Sequence, residues 1–94
     1  MPSLASSVHP APDVAHRELG DATVAVNLQT GRYHSLNAVA GRMLEELLAG
    51  PTVGAALDRL EAAYDAPRET LEADLLALCD ALAERGLVTF ADDG

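Results

Sequence analysis

The chain reads as an α+β domain in which a small antiparallel sheet comes first and three helices follow. Three observations predict this. Apolar residues alternate at Val24, Val26 and Leu28, the period of a half-buried strand. From Val39 onward they recur every three or four residues, the period of an amphipathic helix. Between the two lies Thr30-Gly31-Arg32-Tyr33-His34-Ser35-Leu36-Asn37, which holds a turn glycine, a short strand and a helix cap. At 94 residues there is room for one domain and one modest core.

Taken in order, residues 1–13 are rich in Ser, Pro and Ala without periodicity, and predict a mostly disordered arm. Residues 14–19 predict a first strand, Gly20-Asp21 a turn, and residues 22–28 a second strand. Val24, Val26 and Leu28 are expected on its core face, with Thr23, Ala25 and Asn27 on the other. Residues 28–31 suit a type I turn in which Gly31 takes the left-handed conformation, so that residues 32–36 return as a third strand.

Asn37 is a good N-cap for a first helix ending near Ala49, with Val39, Ala40, Met43, Leu44, Leu47 and Leu48 on its apolar stripe. Gly50-Pro51 should stop it, with glycine as a left-handed cap. Thr52 caps a second helix that buries Val53, Ala56, Leu57, Leu60, Ala63 and Tyr64. Pro67 fits the first position of a third helix running to Arg85 and ended by Gly86. Residues 87–90 read as a short C-terminal strand before an acidic tail over 91–94, so the domain proper is expected over 14–90.

The formal net charge is −9, and all six basic residues are arginine. From Asn37 onward four arginines face twelve acidic residues, a net of −8, so the helical half repels phosphate backbones and anionic lipid. The single cysteine, Cys79, excludes an internal disulfide and fits a reducing compartment. No stretch approaches the roughly 20 apolar residues that span a bilayer, and the N-terminus lacks a signal-peptide pattern. The expected location is cytoplasmic.

Catalysis finds little support. His9 lies in the arm, and His16 and His34 stand on separate strands without a Cys or carboxylate at metal-ligand spacing. Cys79 reads as a buried inert thiol. No glycine-rich phosphate loop is present, and no metal or cofactor is expected.

Two features suit binding instead. In the third helix Leu71, Leu75, Leu78 and Leu82 share one stripe, and the apolar arc including Leu76, Cys79 and Ala83 is roughly 160° wide, bordered by Asp74 and Arg85. That is more than packing on one neighbour requires, so the arc is either all core or partly the wall of a groove. Strand three, last in a sequentially paired sheet, is an edge without proline or lysine. Such an edge can accept a peptide as an added strand, although on these residues alone a plain solvated edge is the simpler reading.

The runs "VNLQTGRYHSLNAVAGRMLEELL" and "TVGAALDRLEAAYDAPRETLEADLLALCDALAERGLV" resemble the pyrroloquinoline-quinone biosynthesis protein D family, whose domains are also called RiPP recognition elements. The resemblance covers residues 14–90. It rests on Gly31, Tyr33, Leu36-Asn37, Asp74 within "EADLL", Leu82 and Gly86-Leu87 in that order. A free-standing chain with a short arm further resembles the leader-binding protein of lasso-peptide clusters, where this domain and a cysteine protease are separate chains.

The resemblance implies a winged helix-turn-helix-like fold with no catalysis of its own. It implies binding of the leader of a ribosomally made precursor peptide as an extra strand along Arg32, Tyr33, His34 and Ser35. Side chains of that strand would face Leu71, Asp74, Leu75 and Leu78 on the third helix. The implied partners are the leader peptidase and, after it, a cyclase. A winged-helix DNA-binding regulator has the same helix order. Its recognition helix should present Arg, Lys, Asn or Gln, whereas this one carries Glu69, Glu72, Asp74, Asp80 and Glu84.

Overall fold

The computed structural model describes residues 2–92. Five strands and three helices follow in the order β1 (Ser6–Pro10), β2 (Val14–Leu19), β3 (Ala22–Asn27), β4 (Tyr33–Leu36), α1 (Ala38–Ala49), α2 (Val53–Ala63), α3 (Arg68–Glu84) and β5 (Val88–Asp92). Strands β2, β3 and β4 form an antiparallel sheet in that spatial order, and β1 pairs with β5 in a separate two-stranded ribbon. The α+β class, with three strands, then three helices, then a terminal strand, is as expected.

The β3–β4 hairpin turns where the glycine requires it. Gly31 has φ +75° and donates its N–H to the Asn27 carbonyl at 2.8 Å, while Asn27 donates to the Arg32 carbonyl at 2.8 Å. A side chain at φ +75° would be strained, so glycine fits this corner. Asn37 then caps α1, its Oδ1 accepting from the Ala40 amide at 2.8 Å, and Thr52 caps α2 through the Ala55 amide at 3.1 Å. Each such cap is worth about 1 kcal/mol.

Leu47, Leu57, Leu60, Leu75, Leu82 and Leu87 meet Leu36 at the centre of the core. Three ion pairs tie the helices together on their solvent side: Arg59 with Glu46 joins α2 to α1, and Arg68 with Asp58 and Glu61 joins α3 to α2. Being exposed, each contributes at most about 1 kcal/mol.

Several expectations are corrected. First, the arm is not disordered throughout. Ser6–Pro10 is a strand in register with Val88–Asp92, Val8 and Ser6 are buried, and the Leu4 carbonyl accepts from the Gly54 amide at 2.9 Å. The partner lies at the far end of the chain, and β5 runs on to Asp92, into the stretch expected to be tail. Gly94 and Asp93 lie outside the described residues.

Second, the faces of β3 are reversed. Ala25 and Asn27 are buried towards the helices, Val24 and Val26 lie half-buried on the opposite face, and Leu28 is exposed. α1 comes close to this face, since a Cβ on Gly41 would sit 2.9 Å from the Thr23 hydroxyl.

Third, Gly50 is extended, with φ −96°, not left-handed. Its lack of a side chain instead makes room for Arg59, whose guanidinium a Cβ would strike on its way to the Glu46 carbonyl. Fourth, Pro67 is the N-cap of α3 and not its first helical residue. Val39 and Ala63, expected to be buried, are exposed.

Candidate functional site

β4 is an edge strand. It pairs with β3 in the register Val26–Tyr33, Ala25–His34, Val24–Ser35 and Thr23–Leu36. Because Asn27 and Arg32 form a hydrogen-bonded pair, alternation along the ladder gives the inward bonds to His34 and Leu36. Tyr33 and Ser35 therefore turn their N–H and C=O groups away from β3, and among the described residues no strand takes them up. Side chains alternate as well. Leu36 is buried and His34 half-buried on the helix side, while Tyr33 and Ser35 are exposed.

The C-terminal end of α3 lies beside the β3–β4 hairpin. There Asn27, buried at the foot of the hairpin, donates its side-chain amide to the Gly86 carbonyl at 3.0 Å. Its Oδ1 accepts from the amides of Gln29 and Thr30 at 2.9 and 3.1 Å. One asparagine thus fixes the turn and ties it to the end of the helix.

On α3 the four stripe leucines differ in exposure. Leu75 and Leu82 are in the core at 0% and 1%, Leu71 is at 4%, and Leu78 is the most open at 8%. Asp74 is exposed, and Ala81 and Arg85 are half-buried. By the helical repeat, Asp74, Leu78, Ala81 and Arg85 lie along one flank of the helix, and Arg85 is the residue that meets β4.

The electrostatics of this end are unlike the rest of the molecule. His34 is held below the ordinary histidine range, first by partial burial and then by the adjacent Arg85 guanidinium. Of the arginines, Arg42, Arg59 and Arg68 have carboxylate partners, whereas Arg17, Arg32 and Arg85 have none among the described residues. Arg85 makes only a long 3.4 Å bond to the Ala81 carbonyl of its own helix. Cys79 faces the opposite way, into the core, where burial and then Asp80 push its thiol up to about 11. Among the described residues no group of His, Cys, Asp and Glu could hold a metal ion.

The family model of coenzyme PQQ synthesis protein D (PqqD) matches residues 22–88, from the start of β3 to the start of β5. The chain belongs to the PqqD family. Two solved structures resemble it. TbiB1 in complex with the TbiA(beta) leader peptide is 33% identical, with a TM-score of 0.76 over 84% of this chain and 92% of that one. Lasso peptide synthetase B1 complexed with the leader peptide is 24% identical, with a TM-score of 0.79 over 88% of this chain and 98% of that one. The latter speaks to the fold. No curated protein sequence matches.

Within this PqqD-family domain the residues singled out from sequence fall into three groups. Arg32, Tyr33, His34 and Ser35 do line an open edge. Asp74 and Leu78 lie on the flank of α3 that leads to Arg85. Leu71 and Leu75 sit deeper, and Leu75 offers no surface at all. Arg85 was visible in sequence only as a border of the apolar arc, although its spacing of eleven residues from Asp74 already set it on the same flank.

Asn27 went unnoticed because its face of β3 was misassigned. So did the outer face of the sheet, where Ala15, Val26 and Tyr33 form one cross-strand row and Arg17, Val24 and Ser35 the next. With Leu19 it makes an apolar surface that nothing among the described residues covers. The surface of α3 is acidic at Glu69, Asp74, Asp80 and Glu84, and Arg68 is already engaged, so the helix is unsuited to a DNA groove.

Proposed function

We propose that this protein binds the leader segment of a ribosomally made precursor peptide as an added strand on β4, and delivers it to a separate cysteine-protease-type leader peptidase of a lasso-peptide pathway. The observation that carries the reading is the open β4 edge beside α3, in a family member whose 33%-identical relative was solved with a leader peptide bound. The bound strand bonds to the outward groups of Tyr33 and Ser35, flanked by Arg32 and His34. Its inward side chains meet Leu78 and Asp74, with Leu71 at the floor and Leu75 supporting the wall from the core.

The protein needs no catalytic group for this role. Holding the precursor raises its effective concentration at the peptidase, and a cyclase acts afterwards on the released core. The uncovered apolar face of the sheet, continuous with Tyr33 at the edge, gives the peptidase a surface that leaves the groove free. The setting is the cytoplasm, where precursor and enzymes are made.

The test compares the peptidase alone with the peptidase plus this protein, on full-length and leaderless substrates. Stimulation confined to the full-length substrate supports delivery. Equal stimulation of both contradicts it.

A further inference from the structure

Arg85, at the C-terminal end of α3, has the half-buried His34 beside it and no carboxylate partner among the described residues, in a chain with 15 acidic residues. Arg32, exposed and also without a carboxylate partner among the described residues, precedes the same strand. The three arginines of α1, α2 and the start of α3 are paired: Arg42 and Arg59 converge on Glu46, and Arg68 takes Asp58 and Glu61; Arg17, on β2, has no such partner among the described residues. A simple role in capping α3 does not account for Arg85, because that role uses one of five donors at 3.4 Å. Two cationic side chains and a histidine left together at one end of a peptide groove are complementary to an anion.

We infer that the His34–Arg85 end of the groove, with Arg32 beside it, selects an Asp or Glu side chain in the bound leader. This rests on the strand-addition reading above and adds a charge rule to it. The opposite end of the same flank carries Asp74, so the groove has a polarity. Eleven residues of helix separate Asp74 from Arg85, about 16 Å, which an extended peptide spans in about five residues. The acidic residue should therefore lie at one end of the bound strand and not at its middle.

The experiment selects peptides from a displayed random library on the wild-type protein and, separately, on Arg85→Glu. Amide exchange then identifies which recovered peptides protect Tyr33 and Ser35. The wild-type pool should be enriched in Asp or Glu at one fixed distance from its apolar anchors, and the Arg85→Glu pool in Lys or Arg at that position. For a synthetic peptide from the wild-type pool, Asp→Asn or Glu→Gln there should weaken binding roughly tenfold, a difference of about 1.4 kcal/mol. On Arg85→Gln the same change should matter little, and Arg85→Lys should restore part of the effect. Peptides that protect β4 with no acidic preference, or that lose equally on Arg85→Gln, overturn the charge rule and leave strand addition standing. If no recovered peptide protects Tyr33 and Ser35, strand addition fails and the charge rule with it.

Discussion

The three-stranded sheet has two edges, and they differ in what stands beside them. The β2 edge is exposed along nearly its whole length, and its outward main-chain groups belong to Val14, His16 and Glu18. The clefts next to it, against α1, contain Glu18, Asp21 and Glu45 together with His16, Leu44, Leu48 and Arg42. The β4 edge offers Tyr33 and Ser35, with His34 on the same strand and Arg85, from the end of α3, beside it. Both edges have unpaired hydrogen-bonding groups, so backbone chemistry alone does not separate them. The difference lies in the balance of charge beside them: carboxylates predominate next to β2, whereas Arg85 and His34 stand at β4. In a chain of net charge −9, we propose that this difference gives a peptide one preferred edge.

The comparison can be broken in several places. The largest effect is expected within α3. Leu75→Ala should cost roughly 2–5 kcal/mol of stability, because Leu75 is fully buried. Leu78→Ala should cost less stability and weaken leader binding in the folded fraction; melting and affinity measured together distinguish the two. Asn27→Ala comes next, losing about 1–3 kcal/mol as its amide bond to Gly86 and its turn contacts disappear. Denaturant unfolding reads that loss, and affinity should fall too, as the hairpin is released from the end of α3.

The paired substitutions Ser35→Pro and His16→Pro each remove one outward N–H from opposite edges. Ser35→Pro should weaken leader binding about tenfold or more and His16→Pro should leave it unchanged, as titration calorimetry would show.

The smallest effect concerns pH. The fold holds His34 below its unfolded value of about 6.5, so stability should decline slightly as pH falls from that value towards the lowered one. Arg85 from α3 is the charged group facing it, and His16 lies across Ala25 in the same row. A leader carboxylate placed there would favour protonated His34, so binding should strengthen as pH drops through the same window. His34→Gln should flatten that trend, as affinity measured across the window would show.

Much of this architecture could be read from sequence because it is local. The Asn37 and Thr52 caps, the turn at Gly31 and the leucine stripe of α3 are each fixed by a few neighbouring residues. What could not be read depends on distant partners. Ser6–Pro10 has no alternation to mark it as a strand, and its ladder partner is the last strand of the chain. Which face of β3 packs under α1 depends on the placement of that helix, which no period in Val24-Ala25-Val26 encodes. Leu71, Leu75, Leu78 and Leu82 look equivalent on a wheel, and only the position of the sheet separates Leu78 from Leu75. Arg85 gains its meaning from having no carboxylate partner among the described residues, which is a property of the folded surface.

The most direct test of the central claim is residue-resolved amide exchange of the protein with and without a leader peptide. The account predicts new protection at the Tyr33 and Ser35 amides, with His16 and Glu18 unchanged. Protection at His16 and Glu18 with Tyr33 and Ser35 unaffected would contradict it, and would place the peptide on the opposite edge of the sheet.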